Sequence, residues 1–273
     1  MRIISSGKVT AAVSELAIKA NLILRSDVLS ALKQAYGSEP NKKAKAILFA
    51  IIKNAEIARK DKMAICQDTG LPIIFAEIGQ ELKIEGDFSL AVNKGIKSGY
   101  RKAFLRESIV KSPLLRGASG YLPAVIHTDM VKGDKLKITV LPKGFGCENK
   151  SQLKMFKPTA EWEEVKQFII EAVKSAGPDA CPPYVIGVGI GGTADYAGLL
   201  AKKALLVSLK AKSSKLEKEL LKDINALNIG PMGLGGKTTA LAVKIKEFPT
   251  HIAGMPVAIN ISCHALRSAT AII

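Results

Sequence analysis

Cys181-Pro182-Pro183-Tyr184-Val185-Ile186-Gly187-Val188-Gly189-Ile190-Gly191-Gly192-Thr193-Ala194-Asp195 reads as a short buried strand, a glycine-rich turn and the start of a helix. The strand is Tyr184–Val188 and the helix Tyr196–Lys210. Working outward, the same mixture recurs. Leu71–Ile78, Leu82–Ile84, Ala124–Thr128 and Lys135–Leu141 are strand-like, with helices at Leu90–Phe104 and Trp162–Ser175. On the other side Leu216–Leu227 is helical, and Thr239–Lys246 and Val257–Ile261 are apolar stretches. Residues 8–62 differ in texture. Val9, Val13, Leu16, Ile18 and Leu22 fall near a helical period, Ser26-Asp27 offers a cap for Val28–Tyr36, Gly37-Ser38-Glu39-Pro40 breaks the chain, and Ala44–Arg59 is a third amphipathic helix. The expectation is an α/β (mixed α+β) fold, with residues 1–62 as a helical cap on a mixed sheet with packing helices. Residues 1–273 form one domain in this reading. Ala211–Lys215 is the best internal linker candidate, and no internal repeat is visible.

At 273 residues, 48% of them hydrophobic, the chain can bury a core without staples, and its composition excludes collagen, low-complexity disorder and a disulfide scaffold. The longest apolar runs, such as Ala46–Lys53 and Leu71–Ala76, are too short to cross a bilayer. Arg2 is followed by no apolar segment of signal-peptide length, so a soluble, cytoplasmic protein is expected. The net charge of +16 could attract nucleic acid, an acidic partner or a small anion. The basic residues are dispersed and not interleaved with aromatics, which argues against nucleic acid.

Four segments carry polar chemistry. Cys66-Gln67-Asp68-Thr69-Gly70 puts a thiol, an amide and a carboxylate on one turn before a strand; a buried cysteine beside an Asx-turn is the plain alternative. The glycines after Tyr184 suggest a dinucleotide loop, but their spacing departs from Gly-x-Gly-x-x-Gly and no acid-tipped strand follows. Gly230-Pro231-Met232-Gly233-Leu234-Gly235-Gly236-Lys237-Thr238 imitates a phosphate loop running into a helix, with proline where the frame needs glycine; an anion-holding glycine turn is the remaining reading. Last, Thr250-His251-Ile252-Ala253 and Cys263-His264 bracket one strand. Cys66, Cys147, Cys181 and Cys263 contain no Cys-x-x-Cys pair, so zinc-ribbon and ferredoxin patterns are absent. Cysteines so far apart could still converge on one metal centre, though spacing alone does not establish it.

Taken in order, these segments resemble the alpha subunit, or N-terminal part, of the class I fumarase and L-tartrate dehydratase family of iron–sulfur hydro-lyases. The resemblance runs through Asn54-Ala55-Glu56-Ile57-Ala58-Arg59, the Cys66–Gly70 run, Phe104-Leu105-Arg106-Glu107-Ser108, Pro142-Lys143-Gly144 with Glu148-Asn149, both glycine loops, and Thr250–Ala253 before Cys263. It implies a 4Fe–4S cluster held by Cys66, Cys181 and Cys263, at a site formed by glycine-rich loops. Three thiolates for four irons would leave one iron open, able to act as a Lewis acid. The resemblance also implies proton handling by Asp68 and His251, and substrate contacts from Gln67, Arg106 and the backbone of Gly146. The implied reaction is reversible hydration of fumarate to L-malate, with L-tartrate dehydration as the alternative and a non-catalytic iron–sulfur or anion-binding module as a more distant one. Further substrate clamps belong, in the family, to a beta subunit, so an alpha–beta heteromer, itself dimerised, acting on a small dicarboxylate is expected, with no nucleic acid or membrane partner. Two stretches depart from the family pattern. Gly144-Phe145-Gly146-Cys147 stands where three glycines and a serine are usual, and Arg116–Pro123 lacks the common Asn-Thr-Gly-Asp-Asn run.

Overall fold

The computed structural model describes all residues, 1–273. The chain opens with β1 (Arg2–Ser5) and three helices, α1 (Ser6–Leu22), α2 (Ser26–Ser38) and α3 (Lys42–Asp61). Then come β2 (Leu71–Gly79), β3 (Leu82–Glu85), α4 (Phe88–Lys102), β4 (Ile109–Ser112), β5 (Arg116–Gly120), β6 (Val125–Val131) and β7 (Leu136–Lys143). After the single-turn α5 (Phe145–Glu148) follow β8 (Gln152–Phe156), α6 (Trp162–Ala176), β9 (Tyr184–Gly191), α7 (Ala194–Ala204) and α8 (Lys215–Ala226). The last third holds β10 (Ala240–Phe248), β11 (Met255–Ser262) and β12 (Ala269–Ile272). The fold is mixed α/β, as the alternation of periods indicated. No helix is long and apolar enough to cross a membrane.

Two compact units share the chain. The first comprises residues 1–25, 55–145 and 267–273. Its four-stranded sheet has the order β12-β7-β2-β6, with β2 antiparallel to β7 and parallel to β6. Ile74, Ile138 and Val140 from the sheet are fully buried with Val9, Val13 and Ala17 of α1 and Val92 and Ile96 of α4. These seven Val and Ile side chains contribute roughly 10–20 kcal/mol of apolar burial before entropy is set against it. The short strands β1 and β3 pair in parallel, and β4 and β5 form a hairpin.

The second unit comprises residues 26–54 and 146–266. Its sheet has the order β10-β9-β11-β8; β9 is parallel to β10 and antiparallel to β11. Residues of α6 and α8 share a core with β9, β10 and β11, in which Ile169, Ile186, Ile224 and Ile261 are fully buried. α7 lies against the same strands through Ala197, Ala201 and Ala258. The alternating glycines of β9 permit that contact: a Cβ at Gly187 would collide with the carbonyl of Ala201, and one at Gly189 with the carbonyl of Ala197. The Gly-x-Gly-x-Gly-Gly spacing therefore serves a close helix–strand approach, which explains why it departs from a dinucleotide loop.

Some boundaries differ from those read in the sequence. α7 ends at Ala204 instead of continuing to Lys210. The apolar periodicity persists past it, but the amide of Leu209 is taken by the Asp27 carboxylate (2.9 Å), which bends the segment into turns. α2 already starts at Ser26, so Asp27 lies inside its first turn.

Candidate functional site

In the first unit, the polar turn Cys66–Gly70 enters β2 at the end where β7 leaves the sheet, since Leu71 pairs with Lys143. Asp68 organises this turn. Its Oδ1 accepts the Gly70 amide at 3.0 Å, an Asx-turn, and its Oδ2 accepts the Phe145 amide at 2.8 Å. Each oxygen keeps a second lone pair for another hydrogen bond. A Cβ at Gly144 would lie 3.0 Å from Oδ2, so glycine there lets the strand end close over the carboxylate. Thr69 is buried, and its hydroxyl donates to the carbonyl of Arg106 at 3.2 Å. That bond ties the turn to the segment after α4, where the Arg106 side chain is exposed. Gln67 is exposed and Cys66 half-buried. A cleft of about 320 Å³ beside this segment is lined by Lys97, Arg101, Glu107 and Lys111, three cations against one carboxylate.

In the second unit, Cys181 precedes β9 and Cys263 follows β11. Because Ser262 pairs with Val185, both cysteines stand at the same end of the sheet. The carbonyl of Cys181 accepts the His264 amide at 3.3 Å and lies 3.1 Å from His264 Nδ1. Cys181 has a positive φ of 57°, a conformation that costs a non-glycine residue energy and that recurs at functional sites. His251 lies elsewhere. Its loop joins β10 to β11, and Thr250 Oγ1 donates to the carbonyl of Gly192 at 3.0 Å, at the far end of β9 from Cys181. The eight residues of β11 separate His251 from Cys263, a span of roughly 25 Å. His251 is exposed, and its Nδ1 accepts the Ala253 amide at 3.2 Å, so in the neutral ring Nε2 carries the proton. Gly146 is exposed with open space around its Cα.

The second glycine loop is an anion holder of an internal kind. The Lys237 amide donates to Glu39 Oε2 at 2.8 Å, and the Gly236 amide to Asn228 Oδ1 at 2.9 Å. Gly233 and Gly235 donate to carbonyls of their own loop. Glu39 is 3% exposed, so the anion held is the chain's own carboxylate. A strand, β10, follows, where a phosphate loop would require a helix.

The donor set for a cluster can be judged by burial. None of the four cysteines is in a disulfide; Cys66, Cys181 and Cys263 are half-buried. Cys147, by contrast, is packed in the core with Tyr184 and Val257, and its Sγ donates to the carbonyl of Ala180 at 3.3 Å. Cys66 in the first unit and Cys181 and Cys263 in the second are thus partly accessible, as a thiolate ligand must be, whereas Cys147 is packed away. No three His, Cys, Asp or Glu side chains are gathered around a single metal position.

Three residues beneath the Asp68 turn were not singled out by the sequence: Asn21, Tyr100 and Arg267. Tyr100 donates to the carbonyls of Thr69 (3.0 Å) and Gly70 (3.3 Å). Burial pushes its hydroxyl up to about 12, so it remains a donor at neutral pH. Asn21 occupies the apolar stripe of α1, four residues after Ala17, and a polar residue in such a stripe was the available signal.

A family model described as Fumarate hydratase (Fumerase) matches residues 10–272. A Methanocaldococcus jannaschii protein named "Putative L(+)-tartrate dehydratase subunit alpha" is 41% identical over 275 residues, covering 96% of each chain. The L(+)-tartrate dehydratase subunit alpha of Escherichia coli K12 is 28% identical over 256 residues, covering 90% of this chain and 84% of its own.

Proposed function

The chain belongs to the class I fumarase and L-tartrate dehydratase alpha family of hydro-lyases, and on that footing we propose that it is the cluster-bearing alpha subunit of a two-subunit fumarate hydratase. Residues 1–273 act as one catalytic part, with a beta subunit supplying the remaining substrate contacts. The observation that carries the reading is the Asp68 carboxylate, held by two backbone amides on a turn bonded to the Arg106 segment.

Cys66, Cys181 and Cys263 would hold a 4Fe–4S cluster. When bound, that cluster would supply Lewis-acid chemistry toward the hydroxyl that leaves or arrives. The chain's own residues do the rest. Arg106 grips a substrate carboxylate through a bidentate fork and fixes its orientation. Gln67 and the backbone of Gly146 contact the same dicarboxylate. Asp68, with free lone pairs on both oxygens, exchanges a proton with the substrate. His251 shares the proton handling, but the length of β11 keeps it from the Cys263 end of its own chain. We therefore assign it to the site of a second copy, in a dimer of alpha–beta pairs.

L-tartrate dehydration is a second reading, favoured by the names of the relatives. It uses the same residues on a diacid with one more hydroxyl. The chain co-expressed with its beta partner, assayed anaerobically on fumarate, L-malate and L-tartrate, decides between them. Fumarate hydration with a larger kcat/KM than tartrate dehydration supports the first reading; the reverse order supports the second, and turnover of neither removes both.

A further inference from the structure

Arg267 lies in the same unit as Asp68 and is 3% exposed. Its Nη2 donates to the main-chain carbonyl of Asp68 at 2.6 Å, and its Nη1 to Asn21 Oδ1 at 3.3 Å. Asn21 in turn accepts the Ile65 amide on its own carbonyl at 3.0 Å. Ile65 and the Asp68 carbonyl are thus held by Asn21 and Arg267, while the amides of Gly70 and Phe145 hold the carboxylate. A Cβ at Gly144 would meet both Asp68 Oδ2 (3.0 Å) and Arg267 Nη2 (3.8 Å), so cation and carboxylate share one neighbourhood.

The Nε of Arg267 is buried with no hydrogen-bond partner. A buried, incompletely paired cation is costly, and an apolar side chain of similar volume would stabilise such a position better. The charge therefore has a use other than packing, and its shortest bond names that use. Fixing the Asp68 carbonyl fixes the peptide plane between Asp68 and Thr69, and with it the direction in which the Asp68 side chain leaves the backbone.

We propose that Arg267 is the positioning residue of the catalytic turn, setting the aim of the Asp68 carboxylate through the Asp68 main-chain carbonyl. The proposal rests on the reading of Asp68 as a proton-handling group.

The test uses the full alpha chain with its beta partner, comparing Arg267→Met, Arg267→Lys and Asp68→Asn by steady-state kinetics and by amide hydrogen exchange. Arg267→Met lowers kcat about 100-fold with KM within about threefold, the signature of a misaimed group. Arg267→Lys, which keeps the charge and loses the fork, recovers about tenfold of that loss. Exchange at Gly70 and Phe145 accelerates in both variants while the amides inside β2 and β7 stay protected. Should Arg267→Met fail to fold, Arg267→Lys alone carries the test. Uniformly faster exchange across the unit, or unchanged exchange at Gly70 and Phe145, overturns the proposal. Wild-type kcat in Asp68→Asn instead overturns the role of Asp68, and the exchange data still decide whether Arg267 holds the turn.

Discussion

The amide of Phe145 donates to Oδ2 of Asp68 at 2.8 Å across 77 residues of sequence. That bond joins the end of β7 to the start of β2 and leaves the carboxylate with a fixed orientation. A fixed carboxylate suits proton transfer better than a mobile one, because the cost of orienting it has been met during folding.

Asp68 and His251 serve one reaction from different chains in this account, and complementation follows. Asp68→Asn and His251→Asn each reduce kcat by about 100-fold or more when present in every chain. Co-expression of the two variants restores about a quarter of wild-type activity, since half of the random dimers carry one intact site of two. Activity no greater than that of either single variant would place both residues in one chain's site.

Tyr100 gives an alkaline signature. Burial raises its hydroxyl from 10.0 to about 12 in the folded chain. The folded state thus holds this proton more tightly than the unfolded one. The stabilisation is complete below pH 10 and is lost as pH rises through about 12. Tyr100→Phe costs about 1–2 kcal/mol at pH 8 through its lost hydrogen bonds, and the gap from wild type narrows above pH 10. Tyr184, also raised mainly by burial, leaves an alkaline slope in both proteins. Urea unfolding at pH 8, 10 and 11 measures the gap.

The glycines of the β9–α7 contact separate packing from ligand binding. Gly189→Ala destabilises by about 3 kcal/mol because its Cβ meets the backbone of α7. Gly198→Ala, inside α7 with nothing within 4 Å, stabilises by about 1 kcal/mol. Thermal unfolding of the two variants gives opposite shifts.

The four cysteines divide by burial, and iron content should divide the same way. Cys66→Ser, Cys181→Ser and Cys263→Ser each lose the cluster and the activity after anaerobic reconstitution. Cys147→Ser retains both, because its thiol is packed in the core of the second unit and donates to the carbonyl of Ala180. Iron lost from Cys147→Ser at unchanged stability would make Cys147 a ligand.

Legibility followed the range of the interactions. β2, β7, β9 and α4 were readable because each has its own apolar period and local caps; Asp87, for instance, accepts the Leu90 amide at the head of α4. β1, β8 and β12 were not, since strands of four or five residues exist only through distant partners: Arg2 pairs with Leu82, Leu153 with Ala258, and Ala269 with Val140. The hairpin β4–β5 was missed for a different reason, as its strands carry few buried apolar residues. Cys66, Asp68 and Arg106 enter the proposed site through family resemblance, not through any local pattern. Its support was not legible, because Arg267 stands in the sequence as one basic residue among forty, and only the fold places it against the Asp68 carbonyl.

Anaerobic iron and acid-labile sulfide analysis of the alpha chain with its beta partner, together with electron resonance spectra of the dithionite-reduced protein before and after adding dicarboxylate, bears on all of this at once. About four irons per alpha chain and a spectrum changed by fumarate or L-malate are expected of a cluster with one open iron. A chain that takes up no cluster under reconstitution, or a cluster whose spectrum ignores every dicarboxylate, would contradict the mechanism.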